Sequence, residues 1–400
     1  MTIEIRHPTD GEFEAVFEAS CVAFGEAHHP SDVDRARAVM PLERIHVAFD
    51  DGKPVGVAAA YAFEQTIPGG TLPAAGISWV GVLPSHRRRG LLTRLMREQL
   101  DDVHANGEPL AILWASEASI YGRFGYGLAT LNGDAEADKA GFAFRDDPGP
   151  AGSVRLVTAD EARELFPPLY ERVRTTRLGF LSRSPEGWAV RLADPEHQRE
   201  GAGPKVNALL ELDGEPAGFA RYRIAAKWER GLPQGEVQVM DVIATSRDAL
   251  RELWRYVFSI DLTSRLTASL DPASPLVLMT VEPRRLHVTL VDGLWLRLVD
   301  VAAALVARSY AAAGSVVIDV VDDFCDWNHG RFRAGEGAGP ADDAPQLRLS
   351  AADLGSLYLG GFDAHRLHAA GRIEELAPGA VERAAELFRT PEPPFCPDHF

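Results

Sequence analysis

Four hundred residues exceed what one ordinary core can cover, and at about 150 residues per domain the chain divides into two or three domains. A 46% apolar and 25% charged composition excludes a disordered or fibrous chain, and no apolar run approaches the roughly 18 residues of a membrane span. A net charge of −17 disfavours nucleic acid, whose phosphates require a basic footprint, and suits cationic small molecules.

The start, "MTIEIRHPTD", lacks the basic and apolar regions of an export signal, and Cys21, Cys325 and Cys396 form an odd, scattered set. Both features lead us to expect free thiols and a cytoplasmic location. "IEIRHPT" reads as a strand leading into the helix "DGEFEAVFEASCVAF". "RIHVAFDDGKPVGVAAAYAF" reads as a hairpin turning at Asp51-Gly52. A strand "GISWVGV", an amphipathic helix "GLLTRLMREQLDDVHANG" and a buried strand "LAILWA" follow. The helix carries Leu91, Leu92, Leu95, Met96 and Leu100 at helical spacing.

This order recurs. "VNALLELDGEPAGFARYRI" is again a hairpin, turning at Asp213-Gly214, and "GEVQVMDVIATSRDALRELWRYVFS" is again strand then helix. The spacing divides the chain into a first domain at 1–150, its duplicate at 151–285 and a compact α+β domain at 286–400. In the last, "VVIDVVDDFCDWNHGRFRAGEG" reads as a meander, followed by helical segments and the extended tail "PEPPFCPDHF". Gly335, Gly337 and Gly339 lack a strand–helix context and mark a loop. His28-His29 and the pair Cys396 and His399 have no matching pair at zinc-like spacing, so no metal is expected. Trp295 and Trp327 read as core.

The copies differ at the strand-to-helix turn: "LPSHRRRG" in the first, "IATSRDAL" in the second. A strand running directly into a helix aims unpaired N–H groups and a positive dipole end at the turn, which suits an anion. Gly90 lets the backbone approach a ligand, and Arg87, Arg88 and Arg89 add charge. Arginine at a helix N-terminus costs about 0.3–1 kcal/mol, which argues against mere decoration. The pattern requires a pyrophosphate cradle. The degenerate duplicate keeps the fold and loses that loop.

"V-x-V-x-P-x-x-R-R-R-G-x-L" at 80–92 resembles the coenzyme A signature of GCN5-related N-acetyltransferases (GNAT). Arg87 and Gly90 match it, while Leu92 departs from the family's small last residue. The resemblance implies an α/β fold, with acetyl-CoA as co-substrate held by Val80, Val82, Arg87, Arg88, Gly90, Leu91 and Leu92. It also implies that "LAILWA" splays away from the preceding strand. "EASIYGRFGYG" at 117–127 supplies the family's Tyr-x-x-x-Gly-aromatic pattern through Tyr121, Gly125 and Tyr126. A tyrosine with a pKa of about 10 can protonate a departing thiolate once positioned and desolvated, a role typically contributing about 10²–10⁴ in rate.

The whole chain is similar to the mycobacterial enhanced intracellular survival proteins, sharing "HRRRGLL", "ASE-x-x-IYGRFGYG", "DGLWLR" at 292–297 and "LGSLYLGG" at 354–361. That resemblance implies acetylation of aminoglycosides and other cationic amines at several positions by a homo-hexamer. Each chain would have two tandem GNAT-like domains, the second degenerate, then a sterol carrier protein-like domain. It further implies that the terminal carboxylate, here on Phe400, acts as base, and that Phe24, Glu26, Ser78 and Trp79 line the acceptor pocket. Phe13 and the "RARAV" segment replace expected tryptophans, and His399 replaces an acid beside Asp398. These departures bear on the substrate list, not the reaction. Two alternatives stay open: acetylation of protein lysines, and lipid binding by a protein with a vestigial acetyltransferase domain.

Overall fold

The computed structural model describes residues 3–400. In chain order it opens with β1 (Glu4–Arg6), α1 (Phe13–Phe24), α2 (Pro30–Val39), β2 (Ile45–Asp50), β3 (Lys53–Ile67) and β4 (Gly70–Val82). Then come α3 (Leu91–Ala105), β5 (Leu110–Trp114), the single turn α4 (Ala118–Tyr121) and β6 (Gly127–Leu128). The hairpin expected at Asp51-Gly52 is present. Both residues take positive φ (49° and 73°), the two left-handed positions that a two-residue loop between right-twisting strands needs.

Next follow β7 (Leu131–Asp138), β8 (Ser153–Val157), α5 (Ala159–Arg174), α6 (Pro185–Leu192), β9 (Val206–Leu212) and β10 (Glu215–Ala225). After a small hairpin, β11 (Trp228–Glu229) and β12 (Leu232–Pro233), stand β13 (Gly235–Ala244), α7 (Arg247–Ser259), β14 (Thr263–Leu270), α8 (Leu276–Met279) and β15 (Val288–Asp292). The chain closes with β16 (Leu294–Leu298), α9 (Val301–Ala307), β17 (Ser315–Val321), β18 (Gly330–Gly335), β19 (Gly339–Pro340), β20 (Leu347–Ser350), α10 (Ala351–Tyr358), α11 (Ala364–Ala369), β21 (Ile373–Glu375) and α12 (Ala380–Phe388).

Two compact units result. One holds the described residues up to Thr130 together with Gly293–Pro394 and Asp398–Phe400; the other holds Leu131–Asp292 and Phe395–Pro397. These divisions differ from cuts at 150 and 285, and strand pairing is the reason. β7 pairs antiparallel with β14 and β15, so the second sheet runs β15-β7-β14-β13-β10-β9-β8. β16 instead enters the first sheet, which runs β1-β2-β3-β4-β5-β16-β6. The alternation of Leu294, Leu296 and Leu298, all buried, marks β16 as an interior strand.

The first sheet is built around one parallel contact. β4 and β5 pair only through Ala74–Gly76 and Leu110–Ile112, after which β4 runs on to Val82 and the strands part. Just there β4 carries a bulge: Ser78 faces Ala59 and Gly81 faces Val57, so Trp79 and Val80 together stand against the single Ala58 of β3. Trp79 takes φ 54°, a left-handed conformation uncommon outside glycine. Helix α3 covers the sheet with Leu91, Leu95, Met96, Leu100 and Val103 buried.

The C-terminal region of this unit forms its own sheet, β19-β18-β17-β20-β21, and lies hard against β16 and β6. Gly355 of α10 rests on the Leu296 carbonyl and Gly127 on that of Ala352, with no room for a Cβ at either place. Arg297 of β16 is fully buried; it donates to the Phe124 carbonyl and pairs with Asp322. Asp322 in turn accepts from the amides of Phe324 (3.1 Å) and Cys325 (2.9 Å).

In the second unit β13 and β14 also pair in parallel over Gly235–Val239, and β13 continues to Ala244 past a register break between Arg221 and Tyr222 on β10. The splay survives with a cavity of about 260 Å³. Its helix start does not: the Ser246 hydroxyl accepts from the Ala249 amide at 3.1 Å and so caps α7.

Breaking the Arg297–Asp322 pair tests this arrangement. Arg297→Met leaves a buried carboxylate without its cation, and a loss of about 3–5 kcal/mol is expected in urea denaturation. An unchanged unfolding midpoint would remove the pair from that role.

Candidate active site

Where β4 leaves β5 a cavity of about 550 Å³ opens. Val80, Gly81 and Val82 form one wall, and Arg87, Arg88, Gly90, Leu91 and Leu92 form its end. Ser116, Glu117, Tyr121 and Arg123 close the opposite side. All seven residues expected to hold the co-substrate, Val80, Val82, Arg87, Arg88, Gly90, Leu91 and Leu92, thus line one space.

The strand-to-helix turn is held from below. His86 Nε2 lies 3.1 Å from Asp50 Oδ2, and its Nδ1 lies 2.8 Å from the Ser85 hydroxyl. Arg87 Nε donates to the Val82 carbonyl at 3.2 Å, and its terminal nitrogen to that of Ala23 at 3.4 Å. Arg88 takes φ 64°, and Gly90 at the N-cap of α3 takes φ 76° with no side-chain cap on the helix. A Cβ at Gly90 would meet nothing in the protein, so the space over these amides is open. Uncapped amides at a 15-residue helix and two arginines fit a diphosphate. Arg89 is exposed and does not line the cavity, whereas Arg123, which the sequence reading did not single out, does.

Tyr121 is 4% exposed on the far wall. Burial pushes its hydroxyl above the ordinary value, opposed by a hydrogen bond with Ser116 and reinforced by the Glu117 carboxylate. Tyr126, whose ring centre is 6.2 Å away, is wholly buried with an unpartnered hydroxyl, also raised by burial. Between them Gly125 (φ 80°) leaves the room Arg297 occupies, so the turn carrying Tyr121 is fastened through Phe124.

The expected acceptor residues do not all gather. Phe24, 45% exposed, lines the same cavity as Arg87 and lies 3.6 Å from where a Cβ on Gly81 would stand. Ser78 stands at the edge of the bulge, and Glu26 follows the left-handed Gly25 that ends α1. Neither lines this cavity. Trp79 packs edge-on against Phe13 (6.1 Å) and Phe17 (5.5 Å). It also hydrogen-bonds Tyr61, whose hydroxyl burial pushes up to about 12.

Phe400 lies among aromatics the sequence reading missed. Its ring centre is 5.0 Å from Phe63 and 6.1 Å from Tyr61, and one ring carbon is 3.1 Å from the Cβ position of Gly76, the last paired residue before the splay. The Trp114 indole donates to the Asp398 carbonyl at 2.9 Å, and the His399 ring centre is 4.9 Å from Trp114. Tyr61 and Phe63 share a face of β3 by alternation, the signal that could have found them.

Residues 4–129 and 179–298 each match an acetyltransferase (GNAT) domain family, and residues 301–397 match a sterol carrier protein domain. An N-acetyltransferase of Streptomyces avermitilis is 40% identical over the full length of both chains. N-acetyltransferase Eis of Mycobacterium tuberculosis is 34% identical, with 98% of each chain covered. The crystal structure of Eis1 from Mycobacterium abscessus superposes with a TM-score of 0.87 at 32% identity, covering 99% of this chain and 100% of that one. With the fold, these matches define an acyl-transferring enzyme. The chain belongs to the Eis-like N-acetyltransferases of the GNAT superfamily, and as such it uses acetyl-CoA. The order of two acetyltransferase domains and a sterol carrier domain accords with the sequence reading.

Gly90→Ala probes the cradle. The left-handed backbone costs about 1 kcal/mol of stability, and the new methyl enters the open space over the amides. Calorimetric titration with coenzyme A is expected to give about tenfold weaker binding; equal affinity would place the diphosphate elsewhere.

Proposed function

We propose that the enzyme transfers acetyl groups directly to primary amines of cationic small molecules, aminoglycosides foremost and polyamines next, at more than one position. The observation that carries this reading is a buried phenol, Tyr121, across one cavity from an uncapped, arginine-flanked helix start. Aromatic faces at Trp79, Tyr61 and Phe63 suit cation–π contacts with such acceptors, and the resemblance adds the acid of Glu26. The resemblance also supports a homo-hexamer as the working assembly.

In the reaction an unprotonated amine nitrogen attacks the thioester carbon. The N–C bond forms, the C–S bond breaks, and its electron pair passes to sulfur, which takes the Tyr121 proton. The Phe400 carboxylate takes the proton from the new ammonium. An ordinary α-carboxyl, with a pKa near 3.3–3.7, is a poor base for a free ammonium and a better one after attack, when the N–H is far more acidic. Val80, in the bulge of β4 outside the regular pairing with β3, offers its amide to the thioester carbonyl. None of the three cysteines lines the cavity, which supports transfer without an acyl-enzyme.

Tyr121→Phe is expected to lower kcat by about 10²–10⁴ with coenzyme A affinity kept. Deleting Phe400 should lower kcat comparably. Full turnover in either variant removes that residue from its role. Because burial holds the Tyr121 hydroxyl above 10, it remains a donor through mildly alkaline pH. Thiol release with kanamycin should therefore rise as the amine deprotonates and show no descending limb below about pH 10. A fall near neutral pH would assign the acid to another group. The same assay run against polyamines and lysine peptides tests the acceptor class.

A further inference from the structure

Away from the cavity, three groups on separate elements converge. His7 follows β1, His46 lies on β2 and Asp102 on α3, and one ligand atom of each falls within 4.8 Å of the others. The His7 Nδ1 lies 2.9 Å from the Ile45 carbonyl. A carbonyl only accepts, so Nδ1 carries the proton and the neutral ring keeps its lone pair on Nε2. The ring centres of His7 and His46 are 4.7 Å apart.

His46 is 6% exposed, and its Nδ1 has no partner. Its Nε2 is 3.6 Å from Asp102 Oδ2, too long for a hydrogen bond, so neither group satisfies the other. The adjoining Gln99 is 1% exposed with neither amide atom partnered, and it lines a small cavity together with His46 and Asp102. The nearby Arg44 is paired with Glu108 at 2.9 Å, which leaves Asp102 as an anion that no arginine or lysine among the described residues pairs with.

We propose that His7, His46 and Asp102 bind one divalent transition-metal ion, zinc being the natural occupant of a two-imidazole, one-carboxylate set with positions left for water. Bonds of 2.0–2.1 Å require donors about 3.4 Å apart, so the three groups, within 4.8 Å of one another, draw closer around the ion. The ion fastens the C-terminal half of α3 to β1 and β2. It takes no part in acetyl transfer, since none of its ligands lines the acetyl-CoA cavity.

The test uses untagged full-length protein stripped with a chelator, titrated with Zn²⁺ by calorimetry and with Co²⁺ by visible absorption. One equivalent is expected, with cobalt ligand-field bands and a rise in Tm. His7→Gln, at an exposed position, and Asp102→Asn should each weaken binding at least about tenfold and remove the Tm rise. The proposal is overturned if no saturable binding occurs, or if both variants bind as the wild type does. His46→Ala is not needed, so a failure of that buried variant to fold leaves the outcome decisive.

Discussion

A three-residue parallel contact between β4 and β5 governs the rest of the molecule. Had the strands stayed paired to their ends, the sheet would be closed and the amides at the start of α3 would face a packed surface. Their early parting, reinforced by the bulge at Trp79–Val80, opens a slot whose floor is strand backbone and whose end is a helix terminus. The same parting in the second unit shows what the fold alone provides. There Ser246 satisfies the helix start, and the residual cavity is about half as large. The slot belongs to the fold, whereas the uncapped helix start belongs to a glycine.

The C-terminal region contributes structure to the first sheet as well as sequence to the chain. β16 sits between β5 and β6, and its Arg297 links the tyrosine-bearing turn to Asp322. A buried pair of this kind brings little net stability but fixes one arrangement, because any displacement leaves a charge without its partner. The backbone contacts at Gly127 and Gly355 impose the same restriction sterically. Asp398 and Phe400 then bring the chain end onto β5 and β3 beside the splay.

Much of this was legible in the residues. The Asp-Gly turns, the helical period of α3 and the arginine–glycine turn are local signals, and each acts over fewer than about twenty residues. The β16 insertion was not legible, because "LWLRL" alternates like any strand and nothing local names its partners. The domain edges near 130 and 292 shifted for that reason. Phe24, expected at the acceptor pocket, lies against Gly81 on the wall of the cavity, a contact between α1 and β4 that no local pattern announces. Tyr61, Phe63 and Trp114 escaped notice because only the folded tail gives them a common neighbour. His7, His46 and Asp102 have no motif spacing at all and meet only in three dimensions.

The most direct examination of the account is a crystal structure of the protein with coenzyme A. The account predicts the diphosphate on the amides of Leu91, Leu92 and Thr93, flanked by Arg87 and Arg88, with the sulfur beside the Tyr121 hydroxyl. A ligand bound elsewhere, or a thiol remote from Tyr121, would contradict it.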